Sequence, residues 1–187
     1  FDFITNNGLK NKFEINFKNL NSIGKNSLQY KSSPQVEMMS MYSLDSSFPL
    51  IKSQENYNNY FTPKLSLKIN PHDMKNYSSS DKTINTKNIF SNNRLGLSDT
   101  LETGKSITLG IDFKRANKND LNNFLELGLA TVIRDKEEKF IPANSTLGKK
   151  NSNLFGTLSN NFNEFIKLKY DFAIDNNYKE FEYNNIN

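Results

Sequence analysis

Apolar residues recur at every second position along much of this chain, in runs long enough to cross a bilayer, and that period admits few folds. In residues 166–175, Ile166, Leu168, Tyr170, Phe172 and Ile174 share one face, while Lys167, Lys169, Asp171, Ala173 and Asp175 share the other. At about 3.3 Å per residue such a run reaches about 33 Å, and a tilted strand through a bilayer takes about 9–11 residues. The same alternation marks residues 12–18, 64–69, 106–113 and 125–134, and more weakly 35–44, 154–160 and 178–183. The leucine spacing of 120–133 also admits a helix, but Leu125, Leu127, Leu129 and Ile133 fit a period of 2 better than 3.6. Between the runs lie turn signals: Asn6-Asn7-Gly8, Ser32-Ser33-Pro34, Asn70-Pro71, Ser78-Ser79-Ser80-Asp81, Asn117-Lys118-Asn119-Asp120 and Asp175-Asn176-Asn177. The last is short enough to join two strands as a hairpin.

A mean hydropathy of −0.70 would suit a disordered chain, yet 15 Phe and 8 Tyr argue for order. Strands that hide only alternate residues reconcile the two. No run nears the ~20 apolar residues of a membrane-spanning helix. Without cysteine, a disulfide framework or a thiolate metal site is excluded within these 187 residues. The net charge of +4 is spread over interleaved lysines and carboxylates, without the blocks of like charge that mark nucleic-acid tails, so a nucleic-acid partner is not expected. Asn gathers at the turn signals, where its side chain is tolerated. Phe1 opens the chain without a leader and residues 182–187 stop in mid-pattern, so both ends are expected to be cuts in a longer protein.

Alternation fits a soluble β-sandwich, whose apolar face turns inward, and a transmembrane barrel, whose apolar face meets lipid while its polar face lines a lumen. Span length and the alternating signs of Lys, Asp and Glu on the polar faces favour the barrel.

Residues 88–113 carry a denser pattern: an aromatic residue (Phe90), Asn93-Arg94, Gly96, Asp99, Glu102 and Gly104 before the strand at 106. Glycine at 96 and 104 permits backbone conformations closed to other residues, and the planar fork of Arg94 suits a carboxylate. Arg94 is therefore expected to pair with Asp99 or Glu102 and to pin this loop inside a lumen or at its rim; an ordinary surface loop with incidental charges is the alternative. A second stretch, residues 141–156, reads Pro142-x-x-Ser145-x-Leu147 and ends on Ser152 and Gly156.

The order and spacing of these two stretches, with Tyr60-Phe61-Thr62-Pro63 placed to start a strand, resemble the barrel domain of the LptD family of lipopolysaccharide-assembly proteins. The resemblance extends from about Tyr60 onward, and its second stretch is similar to alphaproteobacterial members. Thr100 departs from the pattern, since the family often has Arg directly after the Asp. The resemblance implies an all-β fold: an antiparallel up-and-down transmembrane β-barrel segment, about 8–10 strands of a larger barrel, with residues 1–187 forming one partial domain. It implies a non-catalytic part of the outer-membrane translocon that inserts lipopolysaccharide into the outer leaflet, without cofactor. The implied partners are lipopolysaccharide, outer-membrane lipid, an LptE-like lipoprotein plug, and a periplasmic transport bridge reached through an N-terminal domain absent from this chain. Lys167, Lys169 and Asp171 are then expected to face the lumen, where they suit a phosphorylated sugar head. The lateral gate of the family joins the first and last strands, outside an internal piece. A generic outer-membrane porin or transporter barrel and a soluble β-sandwich binding module remain the competing readings.

Other chemistry finds little support. His72 is the sole histidine, beside Asn70-Pro71, and is expected in a polar turn. No Gly-x-Ser-x-Gly surrounds any serine, and the glycines fit no phosphate-binding spacing. Met38, Met39 and Met41 lack a nearby His or Cys and are expected to pack rather than bind copper.

Overall fold

The computed structural model describes residues 1–26, 30–120, 122–163 and 165–187. Its ten strands form one antiparallel sheet: β1 (Asp2–Ile4), β2 (Lys10–Ser22), β3 (Gln35–Ser47), β4 (Leu50–Ser53), β5 (Tyr57–Asn70), β6 (Gly104–Asn117), β7 (Phe124–Arg134), β8 (Leu154–Asn161), β9 (Lys167–Ile174) and β10 (Phe181–Ile186). Apart from β4, which pairs only with β5, each strand lies beside the next along the chain, with β3 against β5, and the sheet is not closed: its order runs from β1 to β10. The only helix among the described residues is a single 3₁₀ turn, Ala143–Ser145. None is long and apolar enough to cross a membrane, which says nothing about crossing by strands.

β4 continues β3. Ser47 faces Lys64 across the β3–β5 ladder, and three residues further along both strands Leu50 faces Phe61. The break falls at Phe48-Pro49, opposite Pro63. Phe48 N–H donates to the Pro63 carbonyl (3.0 Å), but Pro63 has no N–H to return. Pro63 therefore lies in the middle of β5 rather than opening it, contrary to the sequence expectation. The strand tolerates it because the missing donor faces a point where the neighbouring ladder is already interrupted.

β10 starts three residues later than the alternation predicts, since the preceding residues are used in the turn. Asp175 accepts the N–H groups of Lys179 (2.7 Å) and Glu180 (3.2 Å), and Tyr178 takes a left-handed conformation at φ 58°. Asn side chains close other turns in the same way: Asn85 accepts from Lys87 N, Asn117 from Asn119 N, and Asn163 from Phe165 N.

The two faces of the sheet differ. Phe13, Ile15, Phe17, Phe61, Ile107, Leu109, Ile133 and Leu168 leave one face exposed and apolar. Phe172 lies over Gly156 on this face, where an added Cβ would overlap its ring. The opposite face is polar and half covered. Three of the four connections of one end are long (23–34, 71–103, 135–153), the fourth being the turn 175–180, and those of the other end are all short (5–9, 54–56, 118–123, 162–166). The 71–103 and 135–153 loops fold down onto the polar face, bringing Ile84, Ile89, Leu95, Ile141 and Leu147 against Ala130, Val132, Phe155 and Ala173. A smaller cluster joins Leu101 to Met39 and Met41, while Met38 points out, 71% exposed. Met39 and Met41 thus pack as expected, and Met38 does not.

Candidate functional site

The densest polar chemistry lies where the 71–103 loop meets the strand wall. Three neighbouring strands present polar residues to it: Lys68 and Asn70 from β5, Ser106 and Thr108 from β6, and Arg134 from β7, all at most 5% exposed. Alternation places each on the covered face. The strand ends set their level, since Asn70 faces Gly104 and Ser106 faces Arg134 in the ladders.

Arg94 is the centre. Its Nε donates to Glu102 Oε2 (2.7 Å) and its Nη2 to Glu102 Oε1 (2.5 Å), a two-pronged pair. The remaining donors reach Thr108 Oγ1 (2.9 Å), the Ile89 carbonyl (3.3 Å) and Ser106 Oγ (3.0 Å). Of the two carboxylates the sequence offers to Arg94, the structure brings Glu102. A second guanidinium, from Arg134, donates to Glu102 Oε1 (2.6 Å) and to the Thr103 carbonyl. Burial opposes ionisation of Glu102, but the charge and hydrogen bonds of Arg94, with Arg134 and Lys68 beyond, outweigh it and hold the carboxyl at about 2. The loop backbone is held as well: Lys68 Nζ donates to the Ser91 carbonyl (2.5 Å), and Asn70 Nδ2 to the carbonyls of Leu101 and Glu102 (3.4 and 3.0 Å). From β2, Lys18 Nζ reaches the carbonyls of Leu97, Ser98 and Thr100.

Asp99 belongs to a separate node. Tyr30 Oη donates to one of its oxygens (2.6 Å), Tyr77 Oη to the other (2.5 Å), and Lys75 Nζ stands 3.9 Å away. Burial pushes this carboxyl up; the two hydroxyls and Lys75 pull it further down, leaving it below the usual range. Lys75 also lies 4.2 Å from the Tyr30 ring centroid, so the node ties the 23–34 connection to the 71–103 loop. Thr100, next in sequence, is fully buried and accepts the Lys75 N–H (3.3 Å).

Asn93 shapes the turn between the nodes: its Oδ1 accepts from Leu97 N (3.0 Å) and its Nδ2 donates to the Leu97 carbonyl (3.1 Å). Gly96 and Gly104 sit at φ +68° and +83°, where a side chain would be strained. At Gly104 a Cβ would also stand 3.2 Å from Arg134 Nη2. His72 lies at a bend, its Nε2 3.1 Å from Ser40 Oγ.

Lys167, Lys169 and Asp171 share the β9 face that carries buried Ala173. Asp171 takes an ion pair from Lys169 and a hydrogen bond from Thr157 (2.6 Å). Lys169 helps line an open cavity of about 610 Å³ with Lys64, Thr86, Lys87, Asp112 and Glu126, in the half of the polar face that the long loops leave bare. Among the described residues no group of His, Cys, Asp and Glu is placed to hold a metal.

Arg134 and Lys68 are the residues that sequence reasoning missed. Each lies more than 20 residues from its loop partner. For Arg134 the available signal was a single charge after Ala130 and Val132 on its strand face; Lys68, between Ser66 and Asn70 on a polar face, carried none.

No curated protein matches this chain. The family model described as LPS transport system D, LptD, matches residues 9–187, a span that includes every strand but β1 and the whole Arg94–Glu102 network. That family works in lipopolysaccharide transport and assembly at the outer membrane, and the all-β antiparallel sheet found here agrees with it. The chain belongs to the LptD family.

Proposed function

We propose that this chain forms a stretch of wall in the outer-membrane barrel that delivers lipopolysaccharide to the outer leaflet, with the 71–103 and 135–153 loops folded into the lumen. One observation carries the reading: the apolar face of the sheet is bare, while the polar face is the one its own loops cover. A soluble sandwich would bury Ile107, Leu109, Ile133 and Leu168 against a second sheet, whereas a barrel wall turns them to lipid. The Arg94–Glu102–Arg134 network, with Lys68 and Asn70, pins the loops to the wall. Below them the uncovered half of the polar face, with Lys169 and Asp171, gives the phosphorylated sugar head a wet route and leaves room for an LptE-like lipoprotein plug. The family match favours this transport role over a general porin.

A nitroxide scan of positions 105–115 in the full-length protein, reconstituted in lipid vesicles, tests the wall. Collision with oxygen should peak at 107, 109, 111 and 113, collision with a water-soluble nickel chelate at 112 and 114, and labels at 106 and 108, beneath the docked loop, should be shielded from both. Immobile labels shielded from both at Leu109 would instead mean that a second protein layer packs there, and the barrel reading would fall.

A further inference from the structure

The outer face of β6 carries four apolar residues in succession, Ile107, Leu109, Ile111 and Phe113, bounded by Lys105 and Arg115. Those two charges are ten positions apart; at about 3.4 Å per residue and a tilt of about 40°, they stand about 26 Å apart along the membrane normal, the height of a barrel's apolar band (~25 Å). Arg115 thus lies at the headgroup level of the short-turn end, and it has company there. In the ladders Lys52 of β4 faces Asn59 of β5, and Asn59 faces Arg115, so two basic residues flank an amide in one row across three strands. The Arg115 guanidinium lies 4.2 Å from the Tyr57 ring centroid. The next row toward the band, Leu50, Phe61, Phe113 and Leu127, is wholly apolar.

Charge pairing separates this row from three lysines of the other face. On the polar side Lys64, Lys114 and Lys169 each hold a carboxylate: Asp112, Glu126 and Asp171. Lys52 and Arg115 are exposed, and among the described residues neither has a carboxylate within ion-pair distance. Unpaired cations on a lipid-facing surface, at the edge of an apolar band, lack the anion that would complete them. A planar guanidinium stacked on a ring keeps its outer donors free for a phosphate.

We propose that Lys52, Asn59, Arg115 and Tyr57 form an external binding site for the phosphate of an anionic glycerophospholipid, whose acyl chains lie along Phe61, Phe113 and Leu127. The site rests on the barrel reading and lies on the opposite side of the wall from any lumen path. It anchors the β4–β6 segment at a fixed depth.

The test uses the full-length protein with a photo-crosslinking benzoylphenylalanine at Phe113 or at Leu109, in vesicles of phosphatidylcholine containing a minor fraction of phosphatidylglycerol. Irradiation followed by mass spectrometry reads which lipid is attached. At Phe113, phosphatidylglycerol adducts should exceed its mole fraction about fivefold or more, as basic residues near an anionic headgroup imply, and K52Q/R115Q should return the ratio to bulk. Leu109, in mid-band, should show the bulk ratio in both proteins. Lipid adducts at both positions with no phosphatidylglycerol preference at Phe113, or a preference that survives K52Q/R115Q, would overturn the site and leave the wall intact. Protein adducts at Phe113 in place of lipid would also overturn it. No lipid adduct at Leu109 would remove the wall itself.

Discussion

Glu102 is buried between two guanidinium groups, with Lys68 beyond, so its charge is the one on which the loop network depends. Its carboxyl is held at about 2, against an ordinary value of 4.5. A carboxylate depressed on folding contributes stability that is complete above its unfolded value and is lost as pH falls through the folded one. The contribution should therefore fade between about pH 4.5 and pH 2. Glu102→Gln leaves Arg94 and Arg134 without a counter-charge, and removing one partner of a buried ion pair costs on the order of 3–5 kcal/mol. Hydrogen exchange of residues 89–103 in the detergent-solubilised full-length protein should then be faster by a matching factor, and its acid dependence in that window should disappear. Arg94→Lys should fall nearly as far, since a point charge cannot serve Glu102, Thr108, Ser106 and the Ile89 carbonyl together. Unchanged protection in Glu102→Gln would show that the apolar contacts alone hold the loop. At this scale the sequence reached the pairing options of Arg94 because all its candidates lay within ten residues. It could not reach Arg134, which meets Glu102 only through the β6–β7 register.

At the scale of elements, two strand glycines separate close docking from open space. Gly110 on β6 lies beneath Phe90 of the 71–103 loop, and a Cβ there would stand 2.7 Å from the ring and 2.8 Å from the Leu129 carbonyl oxygen. Gly128 on β7 has only ordinary contacts, at 3.5 Å from Asp112 and Thr86. Gly110→Ala should therefore destabilise the docked loop by about 1–3 kcal/mol, the usual cost of overpacking, while Gly128→Ala should be tolerated. Limited proteolysis of the loop in both variants distinguishes them; equal cleavage would mean that Phe90 does not rest on β6. The alternation of β2, β6, β7 and β9 was plain in the sequence because both faces keep their character over many residues. β1 and β4 were not, being three and four residues long and set by pairing with β2 and β5. The seat for the loops was half legible: Ala130 and Val132 break the polar face of β7, and that break marks where something packs.

Over the whole molecule, the connections fall into two sets, and their lengths imply a direction across the membrane. Barrels of the outer membrane keep short turns on the periplasmic side and longer loops outside. The end carrying the 23–34, 71–103 and 135–153 connections should then face the exterior, and the end carrying 54–56 and 118–123 the periplasm. Loop lengths are invisible until strand limits are known, so this asymmetry could not be drawn from the sequence, where β4 and the start of β5 were unseen. Lys149 in the 135–153 loop and Asn56 in a short turn are both exposed and serve as probes. With cysteine at either position of the full-length protein, a polyethylene-glycol maleimide too large for porins should modify position 149 in intact cells. Position 56 should react only once the outer membrane is permeabilised. The reverse pattern would invert the sidedness and carry the Lys52–Arg115 row to the outer leaflet, where the neighbouring lipid is lipopolysaccharide and the phosphate offered to it would come from that lipid instead. Modification of both positions in intact cells would place the sheet outside the bilayer altogether and remove the lipid-facing reading of Ile107 and Leu109.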